Sequence, residues 1–336
     1  MKVLVLRFSS IGDIVLTSPV LRCLKEQVKG IEIHFLTKTK YFSLLEHNPR
    51  ISKIHTFESS LSGIIPKLKE ENYDLIIDLH NNLRSNYLKL ILGKATLSFN
   101  KLNFRKWVLV NLKRDIMPDI HIVERYLETV KKIGVKNDGK GLEFFPCDCE
   151  KIEKSEFPSE IKDLPYTILS IGGTHFTKKM PVSKWLELST QMALPLVIVG
   201  GKEDISIANE LESELKKLGK KVWNTCGKFT FGGSAHLIKH SSLLLTHDTG
   251  MMHIGAAFGI PTVAIWGNTT PNLGMYPYKT NFINLEVNNL DCRPCSKIGF
   301  STCPKSHFYC MLKQDFTQKP LQKFINQAIE SSLANG

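Results

Sequence analysis

No apolar run in this 336-residue chain reaches the length of a membrane-spanning helix; the longest are strand-sized. Nor is a signal peptide expected. Met1-Lys2 runs directly into "VLVLRF", with no apolar block ending in a small-residue cleavage site. The expectation is a cytoplasmic protein. Acids are in deficit, 32 against 44 Lys and Arg, for a formal net charge of +12. Residues 1–154 hold 26 of those basic and 18 of those acidic residues, so the first half is the better host for an anionic partner. Nucleic acid, anionic lipid headgroups and phosphorylated sugars all fit that charge, and so does a basic but inert surface. Several signatures are missing as well. No G-x-G-x-x-G follows the first strand, which argues against a nucleotide-sugar epimerase or dehydrogenase. No G-K-[ST] marks a P-loop. No helix-turn-helix, zinc-finger spacing or RNP-type aromatic motif supports a basic nucleic-acid-binding protein. No Asp-x-Asp pair offers a metal a carboxylate clamp.

What the chain does contain is alternation. Strand-like runs fall at 2–8, 31–36, 52–57, 73–80 and 95–99, with helical stretches at 13–28, 60–71, 83–92 and 119–135. The second half repeats the plan, with strands at 166–172, 194–201, 221–226, 242–247 and 261–267. Its helices fit at 181–192, 203–218, 232–240 and 250–258. Strands of Val, Ile and Leu alternating with helices predict parallel sheets covered on both faces. Residues 146–165 are polar and broken by Pro146, Pro158 and Pro165, and read as a linker. The predicted architecture is α/β, two doubly wound domains facing a central cleft: 1–150, then 151–316, with a C-terminal helix over 317–336 packing back on the first domain.

In doubly wound sheets, ligands sit at the carboxyl ends of the strands, where helix N-termini point. "RFSSIGD" occupies that place after the first strand, with Ser9, Ser10, Gly12 and Asp13. A plain helix cap explains Ser, Gly and Asp equally well. In "THDTGMMHIGAAFG", a strand ends at Asp248 and a helix opens at Thr249-Gly250, with His253 one turn in. Free N–H groups of that turn suit a phosphate. "SIGGTHFTKKMP" brings Thr174 and the pair Lys178-Lys179 to a third strand end. "VGGKED" places Glu203 or Asp204 where a carboxylate can accept from a ribose.

Together, "RFSSIGDIVLTSPVLRCLKE" and "HDTGMMHIGAAFGIPTVAIWGNTTP" resemble the bacterial ADP-heptose:lipopolysaccharide heptosyltransferases, glycosyltransferase family 9. The resemblance spans roughly residues 2–316 and implies the GT-B fold, with two Rossmann-like domains. It implies an inverting, metal-independent transfer from an ADP-sugar to the lipopolysaccharide inner core. Heptose is the family's sugar, and a related donor sugar is the alternative. The first domain then binds acceptor and the second binds donor, with the enzyme peripheral at the inner face of the inner membrane and no nucleic-acid partner. Residue by residue, Asp13 matches the family's catalytic base. Lys178, Asp248, Thr249, Gly250 and His253 match donor-binding positions, with Thr174 beside them and Glu203 the nearest match to a ribose-binding acid. Arg84, His121 and Arg125 match acceptor-side positions, alongside Ser9, Ser10 and Gly12. Where the family often has Trp before the Pro, this chain has Met180.

Two features stand outside the sugar chemistry. Cys292, Cys295, Cys303 and Cys310 cluster in "CRPCSKIGFSTCPKSHFYC", a candidate structural zinc site with His307 as substitute ligand, or free thiols packing a loop. Cys23, Cys147, Cys149 and Cys226 look incidental, and disulfides are not expected in a reducing cytoplasm. No cofactor is expected for catalysis. "KLNFRKWVLVNLKR" (101–114) has five basic residues, no acid, and apolar residues among them; it reads as a surface helix or as a contact for anionic bilayer.

Overall fold

The Val, Ile and Leu runs of the first half form a sheet of five parallel strands in the computed structural model, which describes residues 1–335. These are β1 (Lys2–Leu6), β2 (Glu32–Lys38), β3 (Lys53–Phe57), β4 (Leu75–Asp78) and β5 (Ala95–Ser98), in the order β3-β2-β1-β4-β5. Val3 to Leu6 of the central strand are wholly buried, as a parallel strand covered on both faces must be. The helices are α1 (Ile11–Val15), α2 (Ser18–Gln27), α3 (Ile65–Glu70), α4 (Leu83–Leu92), α5 (Asn103–Trp107) and α6 (Ile122–Lys131). The helix expected over 13–28 is two, because Pro19 lacks an N–H and fits only a first turn. The Thr17 and Ser18 hydroxyls donate to the carbonyls of Ile14 and Val15, both at 2.7 Å, and close α1 off.

The second half forms six parallel strands: β6 (Thr167–Ser170), β7 (Leu196–Val199), β8 (Val222–Asn224), β9 (Leu243–His247), β10 (Thr262–Trp266) and β11 (Phe282–Glu286). Their order, β11-β10-β9-β6-β7-β8, is that of a complete doubly wound sheet. The edge strand β11 was not anticipated; "FINLE" is mostly half-buried and lacks a long apolar run. The helices are α7 (Val182–Thr190), α8 (Ile205–Lys217), α9 (Phe231–Lys239), α10 (Gly250–Ala257), α11 (Tyr309–Leu312) and α12 (Lys319–Asn335).

The chain divides into two units, residues 1–102 with 120–146, and 103–119 with 147–336. This corrects the simple division at 150, because the basic segment around α5 groups with the second unit. Leu321, Ile325, Ala328 and Ile329 of α12 join the second unit's hydrophobic core. A further correction concerns cysteine: Cys147 and Cys149 form a disulfide. A short turn, in which the Cys149 N–H donates to Cys147 Sγ, brings their Cα atoms to 5.1 Å, a normal bridging distance.

A buried ion pair closes the first unit. Arg22 on α2 is 2% exposed and donates through Nε and Nη2 to both Asp138 oxygens, at 2.6 and 3.0 Å. It ties α2 to the segment after α6, and Arg22 in turn holds the Asp138 carboxyl at about 2. Removing Asp138 leaves the buried Arg22 with only the longer 3.6 Å contact to Glu143, a poorly compensated charge. Asp138→Ala should therefore cost roughly 3 kcal/mol in urea unfolding. A loss below about 0.5 kcal/mol would show that Arg22 rehydrates freely.

Candidate functional site

At the carboxyl end of β1, the first turn is organised by a residue that sequence reasoning passed over. Arg7 is 7% exposed, the last charge before "FSSIGD". Its Nη2 pairs with Asp13 Oδ1 at 2.6 Å. Nη1 donates to the Leu79 carbonyl at 2.6 Å and the Tyr126 hydroxyl at 2.9 Å, and Nε donates to the Ser9 carbonyl at 2.8 Å. One guanidinium thus joins β1, α1, the end of β4 and α6. Asp13 also accepts from the Ser10 hydroxyl at 2.7 Å and from the Ser10 N–H at 3.2 Å. Burial pushes the Asp13 carboxyl up, but Arg7 and the Ser10 bonds outweigh it and hold the group below the usual carboxylate range. The cap and the charged site are therefore the same object. Ser10 is the N-cap of α1 and Asp13 its third residue.

The other first-unit candidates surround this network unevenly. Gly12 is buried within α1, Ser9 half-buried and Ser10 exposed. On α6, Arg125 precedes the Tyr126 that Arg7 grips, and burial lowers its guanidinium pKa. His121 caps the same helix, its Nδ1 accepting from the Val123 N–H at 3.2 Å. Arg84 is exposed on the first turn of α4, outside the Arg7 network. A further histidine, His80, packs its ring 4.9 Å from Phe8. Burial first, then Arg7, lowers it to about 4, so it is neutral at physiological pH.

In the second unit, the loops after β6 and β9 meet. Lys178 Nζ pairs with Asp248 Oδ2 at 2.5 Å and donates to the Asp248 carbonyl at 3.2 Å. Thr269 donates to the same carboxylate at 2.9 Å. Thr249 is the N-cap of α10 and Gly250 its first residue, with His253 buried one turn in. An added Cβ on Gly255 would collide with the Leu244 side chain, so the small residues of α10 do let it lie close on the sheet. Thr174 is exposed on the loop after β6. The two acids after β7 separate. Asp204 is buried, paired with Lys179 at 2.7 Å, and accepts from the Gly201 N–H at 3.0 Å. Glu203 is exposed, its carboxylate lying over Gly201. Of the two, Glu203 is the one open to a ligand.

The cysteine segment supports these loops. Arg293, within C-x₂-C, donates to the carbonyls of Gly267, Thr269 and Val287 at 2.6–2.8 Å and pairs with Glu286 at 2.9 Å. The Cys295 N–H donates to the Asn268 carbonyl at 2.9 Å. Thr177, beside Lys178, exchanges bonds with the Phe300 backbone. His247 links the same loops, accepting from the Met180 N–H at 2.9 Å; burial lowers it to about 4. Burial pushes the Cys295 and Cys310 thiols up to about 11 and 12. Cys292 Sγ lies 3.8 Å from His307 Nε2. The segment also carries Cys303 and Cys310, half-buried and buried.

Two doubly wound parallel sheets, each with polar loops at the strand carboxyl ends, define an α/β protein whose ligand positions lie at those ends. The comparisons make the class specific. The family "Glycosyltransferase family 9 (heptosyltransferase)" matches residues 63–305. Lipopolysaccharide heptosyltransferase 1 of Campylobacter coli is 25% identical, over 80% of this chain and 84% of its own length. The crystal structure of a family 9 glycosyltransferase from Veillonella parvula superposes with a TM-score of 0.72 at 22% identity, covering 100% of this chain and 98% of that one. The Escherichia coli ADP-heptose lipopolysaccharide heptosyltransferase II gives 0.72 at 19% identity, covering 99% and 100%. The chain belongs to glycosyltransferase family 9, and it is a glycosyltransferase.

The Arg7 pair changes what a substitution at Asp13 does. A simple cap would tolerate Asn. Here Asp13→Asn removes the counter-charge of a buried guanidinium. It should cost about 2–4 kcal/mol in urea unfolding, whereas Ser10→Ala should cost about 1 kcal/mol. Equal, small losses for both would mean that capping is the whole role of the turn.

Proposed function

We propose that this enzyme moves a heptose from ADP-heptose to the inner core of lipopolysaccharide, with inversion and without a catalytic metal. The observation that carries this is the meeting of Lys178, Asp248 and the first turn of α10 at one strand end. Relatives named as lipopolysaccharide heptosyltransferases support the acceptor, and the ADP-heptose enzyme that shares the fold supports the donor.

The chemistry follows from charge. As the sugar leaves, negative charge grows on the diphosphate. Lys178 and the α10 N–H groups supply fixed positive potential there. Asp248 aims Lys178 by pairing with it, and Gly250 keeps the backbone open to phosphate. No Asp-x-Asp pair occurs in the sequence, so the protein itself provides this charge. Glu203 takes the ribose hydroxyls. In the first unit, Asp13 accepts the acceptor hydroxyl's proton as that oxygen attacks the anomeric carbon and ADP departs from the opposite face. Arg7 keeps Asp13 ionised and fixed, at some loss of basicity. Arg125, His121 and Arg84 hold the anionic acceptor.

The membrane reading also has support. Among the described residues no helix is long and apolar enough to cross a bilayer. Phe104, Trp107 and Leu112 are 71%, 53% and 53% exposed around the basic Arg105 and Lys106. A basic, aromatic-bearing surface of this kind docks on anionic lipid without spanning it, consistent with an enzyme working at the inner face of the membrane.

Calorimetry with ADP tests the donor site. Lys178→Ala should weaken ADP binding at least tenfold, and Gly250→Val should abolish it by occupying the phosphate position. Unchanged affinity in both would place the nucleotide elsewhere. In a transfer assay with ADP-heptose, EDTA should leave the rate nearly intact, and a large loss would overturn the metal-free step.

A further inference from the structure

The amino ends of the first unit's strands, opposite the Asp13 turn, hold a polar cluster that glycosyl transfer does not use. His34 on β2 and His55 on β3 are 1% and 5% exposed. Their facing nitrogens, His34 Nδ1 and His55 Nε2, lie 3.3 Å apart. The Tyr73 hydroxyl sits 3.0 Å from each of them. Glu71, at the end of α3, places Oε2 3.8 Å from His34 Nδ1 and Oε1 3.7 Å from His55 Nε2. Among the described residues, this is the one trio of ligand-type side chains gathered so closely.

Those separations carry chemical information. A tetrahedral zinc ion with bonds of about 2.0–2.1 Å holds adjacent ligand atoms about 3.3–3.4 Å apart. The histidine pair already has that spacing. The 3.8 and 3.7 Å distances belong to different Glu71 oxygens, so the carboxylate must swing to bring one oxygen toward both histidines, from within 4.8 Å, while the tyrosine oxygen moves out by a few tenths of an ångström. The second shell is present too: His34 Nε2 lies 2.8 Å from Glu32 Oε1, which fixes the ring with Nδ1 turned inward. Glu71 is now held by Lys53 at 2.5 Å and Lys2 at 3.0 Å. Both amines have somewhere to go. The Lys53 side chain is 55% exposed, and Lys2 Nζ already lies 3.5 Å from Glu32.

We propose that His34, His55 and Glu71, with the Tyr73 hydroxyl at the fourth corner, form a binding site for zinc or a similar divalent transition metal that clips β2 and β3 to the segment entering β4. The site is structural, since it lies at the strand ends remote from the ligand loops. Displacing two ammonium groups makes it weaker than a closed cysteine site. Ligands contributed by separate strands and a connecting loop tie binding to folding of the first unit.

Metal-free protein titrated with zinc in calorimetry, and with cobalt in visible spectroscopy, tests this. The measurement belongs in a Cys292→Ser/Cys295→Ser background, so that thiol binding does not contribute. One equivalent per chain should bind, with the intense visible bands of a tetrahedral cobalt site free of sulfur charge-transfer. His55→Gln and Glu71→Gln should each weaken zinc at least tenfold. The urea midpoint of the background protein should rise with zinc, and that of Glu71→Gln should not. If His55→Gln fails to fold, Glu71→Gln at the rim of the cluster decides alone. Loss of all binding in the Cys292→Ser/Cys295→Ser background, or equal binding in Glu71→Gln, would overturn the site and leave a purely hydrogen-bonded histidine pair.

Discussion

A single buried guanidinium organises the carboxyl end of the first unit's central strand. Arg7 cannot leave water without partners, and it recruits a carboxylate, two carbonyls and a phenol from four places in the chain. Each partner is thereby fixed. Asp13 is ionised because Arg7 faces it, and it is aimed because Ser10 and Arg7 hold its two oxygens. Tyr126 anchors α6, the helix that His121 caps and that carries Arg125. Structural demand and chemical demand coincide here, so neither can be altered alone.

The second unit solves a related problem by relay. On the proposed function, Lys178 has to be held in place before a diphosphate arrives. Asp248 holds it, Thr269 holds Asp248, and Arg293 holds the Thr269 carbonyl. The cysteine-bearing segment takes part in this relay through its arginine. Catalytic preorganisation of this kind requires that donors be in place before charge develops.

Much of this was legible in the sequence, and the reasons are physical. Parallel strands buried on both faces must be nearly all apolar, so central strands such as β1, β7 and β9 stood out as Val, Ile and Leu runs. The half-buried edge strand β11 had no such signal. Turns at strand ends announced themselves through Ser, Gly, Asp and Thr, and the strand carboxyl ends are where Asp13 and the Asp248-Thr249-Gly250 turn lie. What stayed hidden was pairing across long separations. Nothing local ties Arg7 to Tyr126, Arg22 to Asp138, or Arg293 to Gly267. The choice between Glu203 and Asp204 turned on burial, which only Lys179 on another loop decides. The His34–His55 pair rests on strand register, since each histidine alone reads as an ordinary strand residue.

The central claim is that the Asp13 carboxylate, held ionised by Arg7, takes the acceptor proton. The most direct measurement is the single-turnover transfer rate of Asp13→Asn at saturating ADP-heptose, with ADP affinity measured on the same folded sample. The account predicts ADP affinity within about twofold of the parent and a rate lower by about 10²–10⁴-fold, the usual worth of a general base. A variant that binds ADP normally and transfers heptose at the parent rate would contradict it.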